Sequence, residues 1–351
     1  MRSPTSSLNW LEGIISMFRK LFAAALAFSP ASFPALGADF YAGKQITLIV
    51  GAYPGGGYDL LARLMTRHIS RHIPGAPSWV VQTMPAGNSV AATNHLATIA
   101  PRDGSVIAMI QRGMLHAKMN NSMGVQFDIA KLNWIGSLNR ETGVTLGWAN
   151  APVKTAKELF EKELIVGGQT GVDPELTPRI YNALIGTKFR IISGYPGTPA
   201  IGLAMEKGEV EGIGDWSWSS LKVQHPEWLR EKKVNILMQG ALERDPELPD
   251  VPNALEYVRD PVSRQALELY FTQKTVARPL VGPPDMPADR LAILRKALMA
   301  LADDKEFLDD AQRSRLDVEI LPGDAVEKVI AKIATTPPEA VARMVSAMTA
   351  P

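Results

Sequence analysis

Apolar positions along the chain alternate between two periods. Gln45–Val50 (QITLIV) is a compact run that stops at Gly51 and predicts a strand. Tyr58–Ile73 follows with Leu61, Leu64, Met65 and Ile69 at three- and four-residue spacing, which predicts an amphipathic helix. Its other face carries Arg63, Arg67 and Arg71, each four apart. The alternation continues, with strands over Trp79–Met84, Val106–Ile110, Val144–Trp148, Leu164–Gly168, Arg190–Ser193, Val210–Ile213 and Val234–Gln239. Helices fall between and after them, over Ser89–Ile99, Lys154–Glu163, Thr177–Ile185, Pro199–Lys207, Arg290–Ala302, Lys305–Arg313 and Asp324–Ile333. Strands separated by helices predict an α/β fold with mainly parallel sheets. The Pro-rich stretches Asp245–Pro252 and Val281–Pro287 read as loops, and nothing resembles a flexible tether. Two lobes joined by several crossings fit this pattern better than two separate beads.

The N-terminus has a different character. Arg19 and Lys20 precede the apolar run Leu21–Phe28, Ser29 and Pro30 break it, and Ala35-Leu36-Gly37 supplies small residues at the cleavage positions. This predicts a secretory signal peptide cut after Gly37, with Met17 a candidate start. The run is far short of the roughly 20 residues that span a bilayer. An N-terminal amphipathic helix of the folded domain is the competing reading, and Pro30 and Pro34 speak against it. The mature chain is expected to be soluble and exported, in the periplasm.

Composition then removes whole classes of function. The chain has 351 residues, 46% of them hydrophobic and 21% charged, enough for two cored domains and too apolar for disorder. Net charge is +1. Loss of Arg2, Arg19, Lys20 and Glu12 with the signal peptide lowers it by two, so neither nucleic acid nor an anionic membrane is an expected partner. With no cysteine there are no disulfides, thiol nucleophiles, Cys-ligated zinc or iron–sulfur clusters.

The chemistry concentrates in one turn. Tyr53-Pro54-Gly55-Gly56-Gly57-Tyr58-Asp59 joins the first strand to the first helix. Three glycines let bare backbone N–H groups approach a ligand, and a helix start adds unpaired N–H groups and a positive dipole end. Such a turn can bind an anion at the carboxyl end of a strand. A tight structural turn is the plainer alternative. Neither GxGxxG nor GxxxxGK[ST] is present, so neither dinucleotide nor P-loop binding is supported. Asp59 would repel a bound anion and reads as a helix cap or as a group that fixes the loop.

Three stretches taken together, YPGGGYDLLAR, MPAGNSVAATNHLATIAPRDGSVIAM and GYPGTPAIGLAMEKGEVEG, resemble the substrate-binding proteins of tripartite tricarboxylate transporters, the Bug-type receptors. LERDPELPDVPNALEY and VGPPDMPADRLAILRKAL extend the resemblance over nearly all of the mature chain. It implies a type II periplasmic binding protein fold, with two α/β lobes closing over a ligand cleft. The implied division is 1–37 signal peptide, 38–140 first lobe, 141–270 second lobe, and 271–351 return to the first lobe with C-terminal helices. The implied function is a non-enzymatic receptor that captures a small organic acid and hands it to membrane permease subunits, acting as a monomer and without cofactor. By position, the ligand-binding residues would be Tyr53, Pro54, Gly55, Gly56, Gly57 and Asp59 in the first loop. Gln169, Thr170 and Gly171 would supply the second loop, and Tyr195, Pro196, Gly197 and Thr198 the third. Asp215 and Trp216 follow the GEVEG strand. The second loop departs from the family's small residues at Asp173-Pro174-Glu175, and Arg112 stands where a small polar residue is usual. Arg112 is a candidate contact to a ligand carboxylate, against an ordinary surface or inter-lobe arginine. Trp216 and Trp218 are candidates for an aromatic wall, against plain core packing.

An anion at one helix N-terminus gains roughly 0.3–1 kcal/mol, up to ~2 when partly buried. Micromolar binding needs about 8 kcal/mol, so both lobes must contribute. Catalytic readings are weaker. His68 and His72 have zinc spacing but no HExxH and sit among arginines, so exposed helix residues are the simpler expectation and no metal is assigned. His95, His116 and His225 lack a nucleophile pattern, although His116 follows Arg112 closely enough to approach the cleft. A sensor subunit using the same clamp, and a secreted hydrolase, are the alternatives; no nucleophile motif supports the latter.

Overall fold

A computed structural model describes residues 40–117, 119 and 124–350, so the predicted signal peptide lies outside the described residues. Two sheets organise them. The first has the order β11-β4-β10-β3-β1-β2. Its strands are β1 (Gln45–Val50), β2 (Ser78–Thr83), β3 (Val106–Met109), β4 (Asn133–Ser137), β10 (Pro279–Gly282) and β11 (Leu321–Pro322). The second has the order β7-β6-β8-β5-β9. It comprises β5 (Gly143–Trp148), β6 (Leu164–Gly168), β7 (Phe189–Ser193), β8 (Gly212–Ser217) and β9 (Val234–Gly240).

Neither sheet is mainly parallel, which corrects the expectation from the strand–helix alternation. β1 runs parallel to β2 and β3, with Gln45 opposite Ser78 and Thr47 opposite Val106. β10 is antiparallel to both β3 and β4. In the second sheet β6 is parallel to β7 and β8, while β5 is antiparallel to β8 and β9. The antiparallel strands adjoin the crossings, β4 to β5 and β9 to β10. A chain that arrives from the other lobe needs no βαβ return and enters in the opposite sense.

Helices cover the sheets, most of them where the apolar spacing placed them. Their ranges are α1 Gly57–His68, α2 Val90–Thr98, α3 Asp173–Ile185, α4 Thr198–Glu206, α5 Trp218–Gln224, α6 Pro226–Arg230, α7 Pro261–Thr272, α8 Ala288–Ala300, α9 Lys305–Arg313, α10 Gly323–Ala334 and α11 Pro338–Thr349. The apolar face of α1 buries Leu61, Leu64 and Met65 with Ile46 and Leu48 of β1, and Phe307 of α9 closes the same core. Val144, Ile201, Met205, Ile213, Trp216 and Trp228 form a core in the second lobe. A further cluster runs from Ile49 and Trp134 through Tyr270 and Met344 to Val166 and Leu237, so apolar packing is continuous beneath both sheets. The last helix, α11, lies against α7 and α3.

Several elements differ from the sequence reading. Lys154–Glu163 holds only one 3-10 turn, Lys157–Phe160. The helix expected from Thr177 starts four residues earlier, at Asp173, with Pro174 in its first turn, where a missing N–H costs nothing. Pro279–Gly282, at the edge of a stretch read as loop, is a fully buried strand.

Candidate functional site

A cavity of about 340 Å³ opens between the sheets. Its walls come from the residues that follow strands: Ala52 after β1, Gln111 and Arg112 after β3, Gln169 after β6 and Pro196 after β7. This is the crevice at strand carboxyl ends where α/β folds bind ligands.

The first loop reaches the cavity with Tyr53, Pro54, Gly56, Gly57 and Tyr58. Gly55 and Asp59 do not line it. Gly55 has φ +78°, and its N–H donates to Asp59 Oδ2 at 3.0 Å. Asp59 Oδ1 accepts Arg63 Nε at 2.9 Å. Asp59 thus fixes the loop from behind, and the Gly55 amide is committed to it. The first bond at this end of α1 runs from Leu60 N–H to Gly56 O at 3.1 Å. The amides of Gly57 and Tyr58 precede it at the helix start, where donors have no intrahelical acceptor. Gly57 is required by approach: a Cβ there would lie 2.2 Å from Ser220 Oγ and 2.9 Å from Arg278 Nη2.

The second loop contributes Gln169, Gly171, Val172 and Asp173 to the cavity, but not Thr170. Thr170 O accepts Asn88 Nδ2 at 2.6 Å, and Gln169 Nε2 donates to Asn88 Oδ1 at 3.2 Å, tying this loop to the opposite lobe. From the third loop Pro196, Gly197 and Thr198 line the cavity. Tyr195 does not; its ring packs on the second-lobe core and its N–H donates to Gly168 O at 3.2 Å.

Arg112 lines the cavity and is 5% exposed. Its Nε donates to Asp173 Oδ2 at 2.8 Å, and Nη2 bonds the same oxygen. Tyr270 Oη donates to Asp173 Oδ1 at 2.7 Å and Gln273 Nε2 to the same oxygen at 3.3 Å. Arg112 is therefore an inter-lobe arginine with its own carboxylate. Burial works against its charge, yet Asp173, together with Tyr58, Asp215 and Glu141, more than offsets this and holds its pKa above the ordinary guanidinium value. Burial also opposes ionisation of Asp173, and Arg112 and Lys274 hold its carboxyl well below the usual range.

Asp215 lies beneath the cavity wall, 2% exposed. Its Oδ2 accepts Thr177 Oγ1 at 3.0 Å and faces Lys274 Nζ at 2.5 Å. Burial pushes its carboxyl up, against the pull of Lys274. Trp216 is both wall and core: it lines the cavity, and its ring meets His225 and Trp228 edge-on at 5.3 and 5.8 Å. His68 and His72 are not the exposed pair expected. His68 is buried against Phe307 with Nε2 2.8 Å from Asp310 Oδ2, and His72 Nε2 lies 2.6 Å from Asp304 Oδ2.

His116 does reach the cavity. Burial pushes its pKa down to about 4, so the ring is neutral near pH 7. Among the described residues both its ring nitrogens lack hydrogen-bond partners, as do Trp216 Nε1, Gln273 Oε1 and Arg278 Nε, all on residues lining the cavity. Buried polar atoms are rarely left unpaired in protein interiors, so the layer behind this wall is unusually rich in uncommitted polar groups. Sequence reasoning missed Asp173 as a pairing group, and also Tyr270, Gln273, Arg278 and Met348. Arg278 had a signal, as a lone base inside the apolar run Val276–Val281.

No protein-family model matches the chain, and no curated protein matches it. Solved structures do. A TctC solute-binding protein from Polaromonas is 18% identical, with a TM-score of 0.60 over 87% of this chain and 98% of its own. Rpa4515 of R. palustris, solved with adipate, is 18% identical, with a TM-score of 0.65 over 86% and 97%. The periplasmic binding protein BugD is 17% identical, with a TM-score of 0.65 over 88% and 98%. The chain has the two-lobed α/β fold of the TctC and Bug-type solute-binding proteins.

Proposed function

We propose that the chain is a non-enzymatic, exported solute receptor of the tripartite tricarboxylate transporter type. It captures a small organic acid between its lobes in the periplasm, as a single copy and without cofactor, and delivers it to membrane permease subunits. The lobes carrying the two sheets are the closing units, and the chain crosses between them near residues 138–142 and 273–278. The observation that carries this reading is the cavity itself. Helix starts from both lobes, at Gly57, Asp173 and Thr198, border one cleft together with two guanidinium groups. That is the convergence of donors from both sides that anion capture at useful affinity demands. The likeness to solute-binding proteins, one of them solved with adipate, supports it. Among the described residues no helix is long and apolar enough to cross a membrane, in keeping with delivery to a separate permease. A thermal-shift screen against small carboxylates, followed by calorimetry, tests the reading. At least one acid should stabilise the protein and bind with a Kd of about 1 µM or tighter, near 8 kcal/mol. Silence across the panel, or turnover of ester or amide substrates, would overturn it.

A further inference from the structure

Among the described residues, three buried cations stand at or just behind the cavity, and their pairing is unequal. Arg112 is held by Asp173 through two N–H groups. Lys274 Nζ is 2.5 Å from Asp215. Arg278 is poorly matched. The carboxylate oxygen paired with it, Glu141 Oε2, is 3.4 Å away and also accepts the Ser219 hydroxyl. Glu141 Oε1 is taken by the amides of Thr142 and Ser219. The other contacts of Arg278 are Ala277 O at 3.2 Å and Ser220 Oγ at 3.3 Å. Nε–H has no acceptor among the described residues. The side chain is 1% exposed, lines the cavity, and sets its guanidinium 4.4 Å from the centre of the Tyr58 ring. Burial pushes its pKa below the ordinary value despite Tyr58 and Glu141, with Arg112 adding to the push; Arg112 itself is displaced the other way.

We propose that Arg278, and not Arg112, is the counter-charge for the ligand. Its guanidinium, the Gly57 amide and the Ser220 hydroxyl take a single carboxylate, so the site selects monocarboxylates with an uncharged tail over dicarboxylates. The three groups are neighbours on the cavity wall: a Cβ added at Gly57 would stand 2.2 Å from Ser220 Oγ and 2.9 Å from Arg278 Nη2. The remaining wall is built for the tail. Met114, Leu176 and Met348 are apolar, and His116 is a neutral ring. A second carboxylate there would meet the Asp173 carboxylate and, among the described residues, no uncommitted cation, and an unpaired buried charge is strongly disfavoured.

This inference rests on the carboxylate-receptor reading, and the test separates the two. Calorimetry on the mature protein uses matched sets: hexanoate, adipate and hexanamide, then benzoate, terephthalate and benzamide. The wild type should bind a monocarboxylate about tenfold or more tighter than its dicarboxylate partner. Arg278→Gln should weaken the acid about thirtyfold while the matched amide changes far less. The double variant Arg112→Gln/Asp173→Asn removes the other pair without stranding a charge, and should shift acid and amide alike, preserving their ratio. A dicarboxylate preference in the wild type, or loss of the acid-over-amide preference in the double variant but not in Arg278→Gln, would overturn the assignment and leave the receptor reading standing. If Arg278→Gln fails to fold, the wild-type preference and the double variant decide. Binding of no acid of either class would overturn the receptor reading, and this inference with it.

Discussion

Compare the starts of α1 and α3, one on each side of the cavity. In the first, Gly55 at φ +78° gives its N–H to Asp59, four residues on, and Asp59 holds Arg63, four further. In the second, Gly171 at φ +75° gives its N–H to Glu175, and Glu175 holds Arg179 at the same spacings. Both helices begin two residues after that glycine. There the likeness ends. The first helical residue is Gly57 on one side and Asp173 on the other. Gly57 leaves room for Arg278 and Ser220, whereas Asp173 fills the equivalent place with a carboxylate that Arg112 neutralises. An acid in the first turn of a helix therefore says little about anion binding. What matters is whether it turns back to its own loop, as Asp59 and Glu175 do, or forward into the cavity.

The largest expected effect comes from removing the forward-turned acid. Asp173→Ala leaves Arg112 buried without a carboxylate and should cost about 3–5 kcal/mol in chemical denaturation. A loss below about 1 kcal/mol would show that Arg112 reaches solvent, and the contrast between the two helix starts would be lost.

A pH series tests how dry the cavity wall is beside Asp173. His116 titrates near 6.5 when unfolded and at about 4 in the fold because of burial. Between these values the unfolded chain binds a proton that the folded chain does not. Its contribution is therefore complete above pH 6.5 and declines as the pH falls towards 4, by up to about 3 kcal/mol. His116→Phe cannot take the proton, and its stability should fall less steeply over that window. Equal slopes for the two proteins would place His116 in contact with water.

Much of the scaffold was legible because it is local. QITLIV and the Leu61–Leu64–Met65 spacing give β1 and α1 within a residue at their starts. Asn133–Ser137 and Pro279–Gly282 were not, since short strands that carry Gly or Pro gain their stability from neighbours on both sides. The helices Pro261–Thr272 and Pro338–Thr349 were missed as well, and they pack on each other. At the site, the PGGG turn announced itself through backbone chemistry, and the loops after β6 and β7 came from the family resemblance. The charge arrangement did not announce itself. Arg112 meets Asp173 across 61 residues, and Arg278 meets Ser220 across 58. Such pairings exist only once the lobes come together, and no local periodicity encodes them.

Neighbouring glycines sharpen the picture of the first loop. Gly57→Ala would drive its methyl into Ser220 and Arg278, and should cost about 1–3 kcal/mol by overpacking and displace the proposed carboxylate site. At Gly56, φ is −79° and an added Cβ meets nothing nearer than Tyr53 O at 3.6 Å. Gly56→Ala should cost under about 1 kcal/mol, the loss of a good cap residue. Gly56→Val should fold and yet abolish ligand binding, because its branches occupy the cavity. Retention of full calorimetric affinity in Gly56→Val would remove this loop from the ligand's surroundings.

The smallest effect tests the shared device itself. Asp59→Asn and Glu175→Gln each keep a side-chain oxygen for the loop glycine and lose the charge that holds Arg63 or Arg179. Arg63 is half exposed and Arg179 a quarter, so each pair contributes no more than about 1 kcal/mol. The two losses should be similar, and both should shrink in high salt. Glu175 has the additional partner Ser193 Oγ at 2.6 Å, so any excess should fall on that side. If Asp59→Asn proved the costlier by a wide margin, its carboxylate would be facing something besides Gly55 and Arg63, and the likeness between the two helix starts would be broken.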